Sequence, residues 1–131
     1  MANSRKILLV DDDADLRFIY STKLTSLGYT ALQASGGAEG IEMAKREHPD
    51  AILLDVIMPG MNGFQTLEKL KAIPETKNIP VIFLTAFGDT TPEGLEFDKK
   101  VALETGAVYY FKKEADLKEL TAKIEEVLSK K

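Results

Sequence analysis

Short apolar runs alternate with amphipathic stretches along the whole chain. The apolar runs predict five β-strands, and apolar residues at helical spacing predict a helix after each strand. Runs such as Ile7–Val10 and Ala51–Leu54 are apolar at every position, which is typical of parallel strands covered on both faces. The predicted strands are Lys6–Val10, Tyr29–Ala34, Ala51–Asp55, Val81–Leu84 and Val108–Phe111.

The helices are predicted from apolar residues three and four positions apart. Gly28 ends the first helix, and the second and third end before Pro49 and Pro74, because glycine and proline are common helix stops. A helix ending before Gly106 is also predicted, although the apolar residues of 91–105 do not all share one face. The predicted buried faces comprise Leu16, Ile19, Tyr20, Lys23, Leu24 and Leu27 in the first helix, Ala38, Ile41 and Ala44 in the second, Phe64, Leu67 and Leu70 in the third, and Leu117, Leu120, Ile124, Val127 and Leu128 in the last.

This alternation of strands and helices predicts an α/β fold in which helices cover both faces of a parallel sheet. Right-handed crossovers turn such a (βα)5 chain into a doubly wound sheet. Thr30 and Gln33 are polar, so we expect the second strand at an edge of the sheet. The 131 residues suit a single domain, which we expect to cover residues 5–129 with tails at 1–4 and 130–131.

Composition narrows the class of protein. The chain has no cysteine, which excludes disulfides and thiolate metal sites. It has neither a long apolar run that would span a membrane nor a signal peptide, so we expect a cytoplasmic location. The net charge of −4 gives no long-range attraction to nucleic acid, so we do not expect direct DNA binding.

Polar residues follow the predicted strands where they end. Three consecutive acids, Asp11 to Asp13, follow the first strand, and the third strand ends at Asp55. Thr85 follows the fourth strand, and Lys112 and Lys113 follow the fifth. These ends meet at one edge of a doubly wound sheet, where ligands bind. Grouped carboxylates favour a cation that prefers oxygen ligands, which is Mg²⁺ rather than zinc. Phosphoryl transfer to a carboxylate requires a cation, a lysine and a hydroxyl around it.

Together these motifs resemble the CheY-like receiver domain of bacterial response regulators. The resemblance rests on segments 7–13, 53–63 and 79–86 and on Gly106, Ala107, Tyr110 and Lys113, and it covers about residues 5 to 129. It implies a flavodoxin-like sheet with strand order 2-1-3-4-5. It also implies a signalling phosphoacceptor that catalyses only its own phosphorylation and dephosphorylation, not an enzyme with a separate substrate.

The resemblance implies a role for each residue that matches the family's pattern. Asp55 would accept a phosphoryl group from the phosphohistidine of a sensor kinase or a histidine phosphotransfer protein. A downstream protein would bind through the fourth helix, the fifth strand and the fifth helix. The implied Mg²⁺ site, which Mn²⁺ would also fit, consists of Asp11, Asp12, Asp55 and the backbone carbonyl of Ile57. The resemblance also implies that Thr85 and Lys113 bind the phosphoryl group and that Ala86 leaves room for it. Thr85 and Tyr110 would form a switch.

The region after the fourth strand departs from the family's pattern in two ways. Glu114 follows Lys113 where the family has proline after a cis bond, so we expect either a trans bond with a different loop path or a cis bond held by packing. Twenty residues separate Thr85 from Gly106, more than is usual in the family. Segment 88–94 is rich in turn formers and is predicted to be an extended loop, which either alters partner choice or is a tolerated insertion.

A third departure concerns two apolar residues beside the site. Ile57 and Phe87 stand two positions after Asp55 and Thr85, where family members use polar residues that help water to attack the acyl phosphate. We expect two apolar side chains to shield the acyl phosphate instead. We therefore expect the phosphorylated form to be long-lived.

Four residues also have purely structural interpretations. Asp13 and Asp15 are expected to cap the first helix rather than to bind metal. His48, which precedes Pro49, is expected to be an exposed residue at a helix end without a catalytic role. For Tyr110, a fixed aromatic residue in the core is the alternative to a switch.

Two other functions remain open. The three acids, Thr85 and a lysine loosely resemble a haloacid-dehalogenase-type phosphatase, in which Asp11 would be the nucleophile. However, Ala14 and Asp15 stand where that pattern has a Gly-Thr pair, and Asp55 would be unexplained. The second alternative is a receiver-like domain that acts by binding alone, without phosphorylation. The chain has no room for an effector domain, so it is either a protein that acts alone or a receiver cut from a longer one.

Overall fold

A computed structural model of the chain describes residues 5–85, 92–112 and 117–129, with the backbone alone at 85 and 92–98. The strands form one parallel sheet in which the second strand lies at one edge and the fifth at the other, in the order 2-1-3-4-5. The predicted α/β fold and the edge position of the second strand are confirmed. The elements are β1 (Lys6–Val10), α1 (Ala14–Ser26), β2 (Thr30–Ala34), α2 (Gly37–Glu47), β3 (Ala51–Leu54), α3 (Gly63–Ala72), β4 (Val81–Thr85), α4 (Pro92–Thr105), β5 (Tyr109–Lys112) and α5 (Leu117–Ser129).

Several strand ends differ by one residue from those predicted. The Tyr29 N–H donates to the Leu24 carbonyl at the end of α1 (3.1 Å), so β2 begins only at Thr30. At the other end of the sheet, Thr85 pairs with Lys112, which extends both β4 and β5 by one residue. The remaining differences are that β3 ends before Asp55 and that β5 begins after Val108.

The sheet separates two hydrophobic cores, as a doubly wound fold requires. Successive strand residues point to opposite faces of a sheet, and in β1, β3 and β4 the side chains on both faces are buried. Burial of one such Leu or Ile side chain stabilises the fold by about 2 kcal/mol. One core joins Leu8, Val10, Leu54 and Phe83 to α2, α3 and α4, and the other joins Ile7, Leu9, Leu53 and Ile82 to α1 and α5.

The predicted buried faces are confirmed in α3 and α5 but are partly wrong in α1. Ile19 is 50% exposed and Leu27 is 39% exposed. Tyr20 and Leu24 are buried one turn apart, and Ile19 lies beside their stripe rather than on it. Leu27 is the C-cap residue, so it stands at the end of the packed part of the helix.

Glycine explains the error in α2. Ala38 is exposed, and the buried face is formed by Gly37, Gly40, Ile41 and Ala44. A Cβ at Gly40 would lie 2.9 Å from Val10 Cγ2, which is closer than real Cβ atoms approach. The helix therefore packs directly on β1 through a position without a side chain. A hydrophobic pattern does not register such a contact.

The start of α4 corrects part of the predicted loop over 88–94. Residues 92–94 belong to the helix, which begins at Pro92. Proline fits the first turn because the N–H that it lacks has no partner inside the helix. The predicted end of this helix before Gly106 is confirmed, and Gly106 has a φ of 120°. The rest of the predicted loop, 88–91, lies outside the described residues.

The predicted structural roles of Asp13 and His48 are confirmed. Asp13 is the N-cap of α1, and its carboxylate accepts the backbone N–H groups of Asp15 (2.9 Å) and Leu16 (3.3 Å). Asp15 is not itself the cap but lies in the first turn, where its negative charge interacts favourably with the helix dipole. His48 is exposed and ends α2 with a φ of 50°.

The start of α2 depends on an exposed carboxylate. Glu39 accepts hydrogen bonds from the backbone N–H of Ser35 (2.6 Å) and from its hydroxyl (3.0 Å). These hydrogen bonds, with a smaller contribution from the charge of Arg17, hold the pKa of Glu39 below its ordinary value. The ionised form of Glu39 therefore stabilises the junction between β2 and α2.

This contact predicts a pH dependence of stability. Because the pKa of Glu39 is lower in the folded state, its stabilisation is present above the unfolded-state pKa and is lost as pH falls through the folded-state value. Glu39→Gln should therefore reduce the fall in the free energy of unfolding towards acid pH, measured by urea unfolding at several pH values. Glu42→Gln, which removes an exposed carboxylate of the same helix that pairs with Lys45 rather than with Ser35, is the control and should change the pH dependence less than Glu39→Gln. An unchanged pH dependence in E39Q would contradict the prediction.

Candidate functional site

Three carboxylates meet at the carboxyl ends of β1 and β3. Asp11 and Asp12 directly follow β1, and Asp55 directly follows β3. One carboxylate oxygen from each residue lies within 4.8 Å of the other two. Asp11 and Asp55 are 7% and 4% exposed, whereas Asp12 is an exposed residue. The structure thus brings together three of the acids that the sequence predicts at this edge of the sheet.

The register of the sheet explains why these acids meet. Val10 pairs with Leu54, so the residues that follow them leave neighbouring strands at the same level. The Asp55 N–H donates to the Val10 carbonyl (2.9 Å), and the Asp11 N–H donates to the Ala34 carbonyl in β2 (3.1 Å). Hydrogen bonding between strands therefore continues one residue past the strand ends. This continuation brings both carboxylates to the same edge of the sheet.

The loop after Asp55 folds back against the site. Met58 is buried, and Gly60 has a φ of 77°, a conformation that glycine adopts without strain. The Gly63 N–H then donates to the Val56 carbonyl (2.7 Å) at the start of α3. A Cβ at Gly63 would overlap the carbonyl oxygen of Asp55. The close return of the chain thus requires glycine at position 63, a requirement that is not evident from the sequence pattern.

Arg17 is a second residue of the site that the sequence pattern does not predict. Its guanidinium donates a hydrogen bond to the backbone carbonyl of Asp11. It also lines a small cavity together with Asp11 and Asp55. One signal in the sequence was available, because Arg17 lies four residues after the predicted cap Asp13 and therefore belongs to the first turn of α1.

Tyr110 lies inside the core next to β4. Its side chain is 5% exposed, and its ring meets that of Phe83 edge-on with centroids 6.5 Å apart. Phe83 also pairs with Tyr110 in the sheet register. This inward position agrees both with one state of a switch and with a fixed aromatic residue, so the role of Tyr110 stays a prediction.

The other predicted site residues are described only in part. Thr85 ends β4 opposite Lys112, which places its backbone at the carboxyl edge of the sheet. The Ile57 side chain is 50% exposed, and the metal-binding role of its carbonyl stays a prediction. Four residues of the predicted site and of its departures from the family lie outside the described residues, namely Ala86, Phe87, Lys113 and Glu114.

The donor set at the three acids suits a hard divalent cation. All the clustered ligand atoms are carboxylate oxygens, the type that Mg²⁺ prefers. Three like charges at this spacing repel one another, and the repulsion is stronger for the two buried groups than it would be in water. The residues present therefore fit Mg²⁺ on the chemistry of the cluster.

The family of the chain follows from comparison with known proteins. The family model described as "Response regulator receiver domain" matches residues 7–125 of this chain. The chain belongs to this family. It is a receiver domain of two-component response regulators, and this match does not favour the two alternatives, a phosphatase and a module that acts by binding alone.

Individual relatives agree with this assignment. The "Probable transcriptional regulator ycf27" of Porphyridium aerugineum is 37% identical over 123 residues, which is 94% of this chain and 48% of the relative. The "Sporulation initiation phosphotransferase F" of Bacillus subtilis is 34% identical, covering 95% of this chain and 94% of that protein. The receiver domain therefore spans about half of the first relative's length and nearly all of the second's.

A solved structure agrees as well. The chemotaxis protein CheY4 of Vibrio cholerae has a TM-score of 0.82 and 29% identity over 95% of this chain and 99% of that one. The fold is thus that of CheY-like proteins. Among the described residues of the receiver domain, no helix is long and apolar enough to cross a membrane.

Proposed function

We propose that this receiver domain accepts a phosphoryl group on Asp55 and thereby controls the binding of a partner protein. The observation that carries the proposal is the grouping of Asp55 with Asp11 and Asp12 at the carboxyl edge of the sheet. Asp11 is less suited to be the nucleophile, because its Oδ1 already accepts the backbone N–H of Asp13 (2.9 Å). Asp12 is exposed, whereas Asp55 is buried beside both acids.

The proposed reaction transfers a phosphoryl group from a phosphohistidine. A bond forms between a carboxylate oxygen of Asp55 and phosphorus, and the bond between phosphorus and the imidazole nitrogen breaks. The nitrogen keeps that electron pair, so a donor ring that carries a proton on its other nitrogen leaves as a neutral imidazole. The domain is then the substrate of its partner and catalyses only its own phosphorylation and dephosphorylation.

The chain's own residues would supply the rest of the site. A bound divalent cation supplies positive charge to the oxygens of the transferring group, and Asp11, Asp12, Asp55 and the Ile57 carbonyl would hold it. The Thr85 hydroxyl and the Lys113 ammonium group would also contact the phosphoryl group, and Ala86 would leave room for one of its oxygens. Thr85 and Tyr110 would transmit the conformational change on phosphorylation to the surface that binds the downstream partner.

Exposed apolar side chains support a protein partner close to Asp55. Phe18 is 70% exposed and Ile19 is 50% exposed on α1, the helix that follows Asp11 and Asp12. Ile57, also 50% exposed, lies two residues after Asp55. Neighbouring exposed apolar residues such as Phe18 and Ile19 form the kind of surface that protein partners bind. We infer that a sensor kinase or a histidine phosphotransfer protein docks on them to present its phosphohistidine.

A second surface supports the downstream partner, on α4, β5 and α5. Leu103 is 51% exposed on α4, and Val108, just before β5, is 42% exposed. Val108 and Lys123 line one cavity, and the Lys123 ammonium lies 4.3 Å from the centroid of the Tyr109 ring. The hydrogen bond of Lys123 to Glu126 (2.7 Å) raises the pKa of Lys123. The surface thus combines apolar groups with a stable positive charge.

The cytoplasmic location and the lack of direct DNA binding stay predictions.

Intact-mass measurement tests the phosphoacceptor. After incubation with acetyl phosphate and Mg²⁺, the wild-type domain should gain the mass of one phosphoryl group, and Asp55→Asn should gain none. Asp15→Asn, which removes an exposed acid from α1, should be phosphorylated like the wild type. Continuous release of phosphate that Asp11→Asn abolishes would support the phosphatase instead. Absence of an adduct in the wild type would favour a module that acts by binding alone.

Phe18 tests the proposed docking surface. Phe18→Ala should slow phosphotransfer from a phosphorylated histidine phosphotransfer protein that is active on the wild-type domain. Burial of an aromatic side chain at the centre of an interface contributes about 2 kcal/mol, so we expect a slowing of roughly tenfold or more at limiting concentration. Phosphorylation by acetyl phosphate should not change, because this donor needs no protein contact. Leu103→Ala, which removes an exposed side chain from α4, is the control. Equal transfer to F18A and wild type would refute this docking surface.

Ile57 tests the expected long lifetime of the phosphorylated form. Ile57→Asn introduces a polar group two residues after Asp55, which can orient a water molecule towards the acyl phosphate. Loss of the phosphoryl group in Mg²⁺ buffer, followed by intact mass, should become severalfold faster. Ile19→Asn, at a position with the same exposed fraction of 50%, should decay like the wild type. Decay of the wild-type adduct within seconds would show that Ile57 does not protect it.

A further inference from the structure

Arg17 contacts the acidic cluster although it belongs to none of the motifs that identified the site. Its Nη1 donates to the backbone carbonyl of Asp11 at 2.5 Å. The side chain is partly buried and lines the cavity that Asp11 and Asp55 also line. An arginine in this place acts on the site either through its charge or through the hydrogen bond to Asp11.

Three hydrogen bonds close a ring through Asp11, Asp13 and Arg17. The Asp13 N–H donates to Asp11 Oδ1 (2.9 Å), the Arg17 N–H donates to the Asp13 carbonyl (3.0 Å), and the Arg17 guanidinium donates to the Asp11 carbonyl. Side chains in a helix lean towards its N-terminus. The side chain of Arg17, in the first turn of α1, therefore reaches back over the start of the helix to the end of β1.

Together with β2, this ring of hydrogen bonds holds three groups of Asp11 in place. Its N–H is held by the Ala34 carbonyl (3.1 Å), its own carbonyl by Arg17 and its Oδ1 by Asp13. With both backbone groups and one carboxylate oxygen held, the direction of the carboxylate is set. We propose that Arg17 is a positioning residue, which holds the main chain of Asp11 so that its carboxylate is directed at the cation. This inference rests on the proposed function, in which the three acids bind a divalent cation.

The charge of Arg17 has the opposite effect on cation binding. A guanidinium close to the site repels Mg²⁺, so its charge by itself weakens binding. The carboxylate of Glu39 offsets part of this charge, since Arg17 contributes to the lowered pKa of Glu39. Removal of Arg17 therefore weakens Mg²⁺ binding if the residue positions Asp11, and tightens it if the residue acts only as a charge. The sign of the change distinguishes the two.

The experiment is a calorimetric Mg²⁺ titration of the unphosphorylated receiver domain. Arg17→Met keeps the apolar part of the side chain and removes both charge and hydrogen bond. We expect its Mg²⁺ affinity to fall about tenfold, as is typical when a residue that orients a metal ligand is lost. Arg46→Met removes the same charge from an exposed position on α2 and should change affinity by less than about twofold. In Mg²⁺-free buffer, amide hydrogen exchange at Asp13 should accelerate in R17M but not in R46M.

Each outcome decides the matter. Weaker Mg²⁺ binding by R17M together with faster exchange at Asp13 supports the positioning role. Equal or tighter binding by R17M overturns it, even if urea unfolding shows a loss of stability. If R17M does not fold, Arg17→Gln repeats the test, because glutamine is too short to keep the contact. A wild-type domain that binds no Mg²⁺ contradicts the proposed cation site instead and is thereby distinguished from failure of the inference.

Discussion

The parallel pairing of β1 with β3 is the constraint on which the rest of the site depends. The Asp55 N–H donates to the Val10 carbonyl, one step beyond the Val10–Leu54 pair, and this bond fixes the level at which Asp55 leaves the sheet. A slip of one residue would turn every β3 side chain to the opposite face. Ile52 and Leu54 would then leave their core, and Asp55 would leave Asp11. The burial of both sheet faces thus also holds the acids together.

The elements around the acids complete what this pairing begins. Gly63 lets the chain return against the Asp55 carbonyl, and Asp13 starts α1 close enough to β1 for Arg17 to reach back to Asp11. Each of these contacts fixes backbone next to the acids, so together they set the directions from which the carboxylates approach rather than the chemistry itself. The chemistry comes from carboxylates whose mutual repulsion favours a bound cation.

Much of the fold was predictable because burial leaves a simple pattern in the sequence. The two-sided burial of β1, β3 and β4 makes nearly continuous apolar runs, and Leu67 and Leu70 mark the packed side of α3. In α1 the error lay at the margin of the packed stripe, where Ile19 and Leu27 are exposed, and the other two occurred where packing does not depend on apolar side chains. In α2, Gly40 packs on Val10 where a hydrophobic pattern favours Ala38. At the start of α4, turn-forming residues at 92–94 are helical.

The sequence by itself determined the order of the elements, the strands that end in acids and the resemblance to a receiver domain, because these depend only on residue type and spacing. Tertiary structure alone decided that Asp12 is exposed while Asp11 and Asp55 are buried. It also decided that position 63 excludes any side chain and that Arg17 holds the Asp11 carbonyl. The reason is that these features depend on distances between atoms of different elements, which the spacing of residues along the chain does not record.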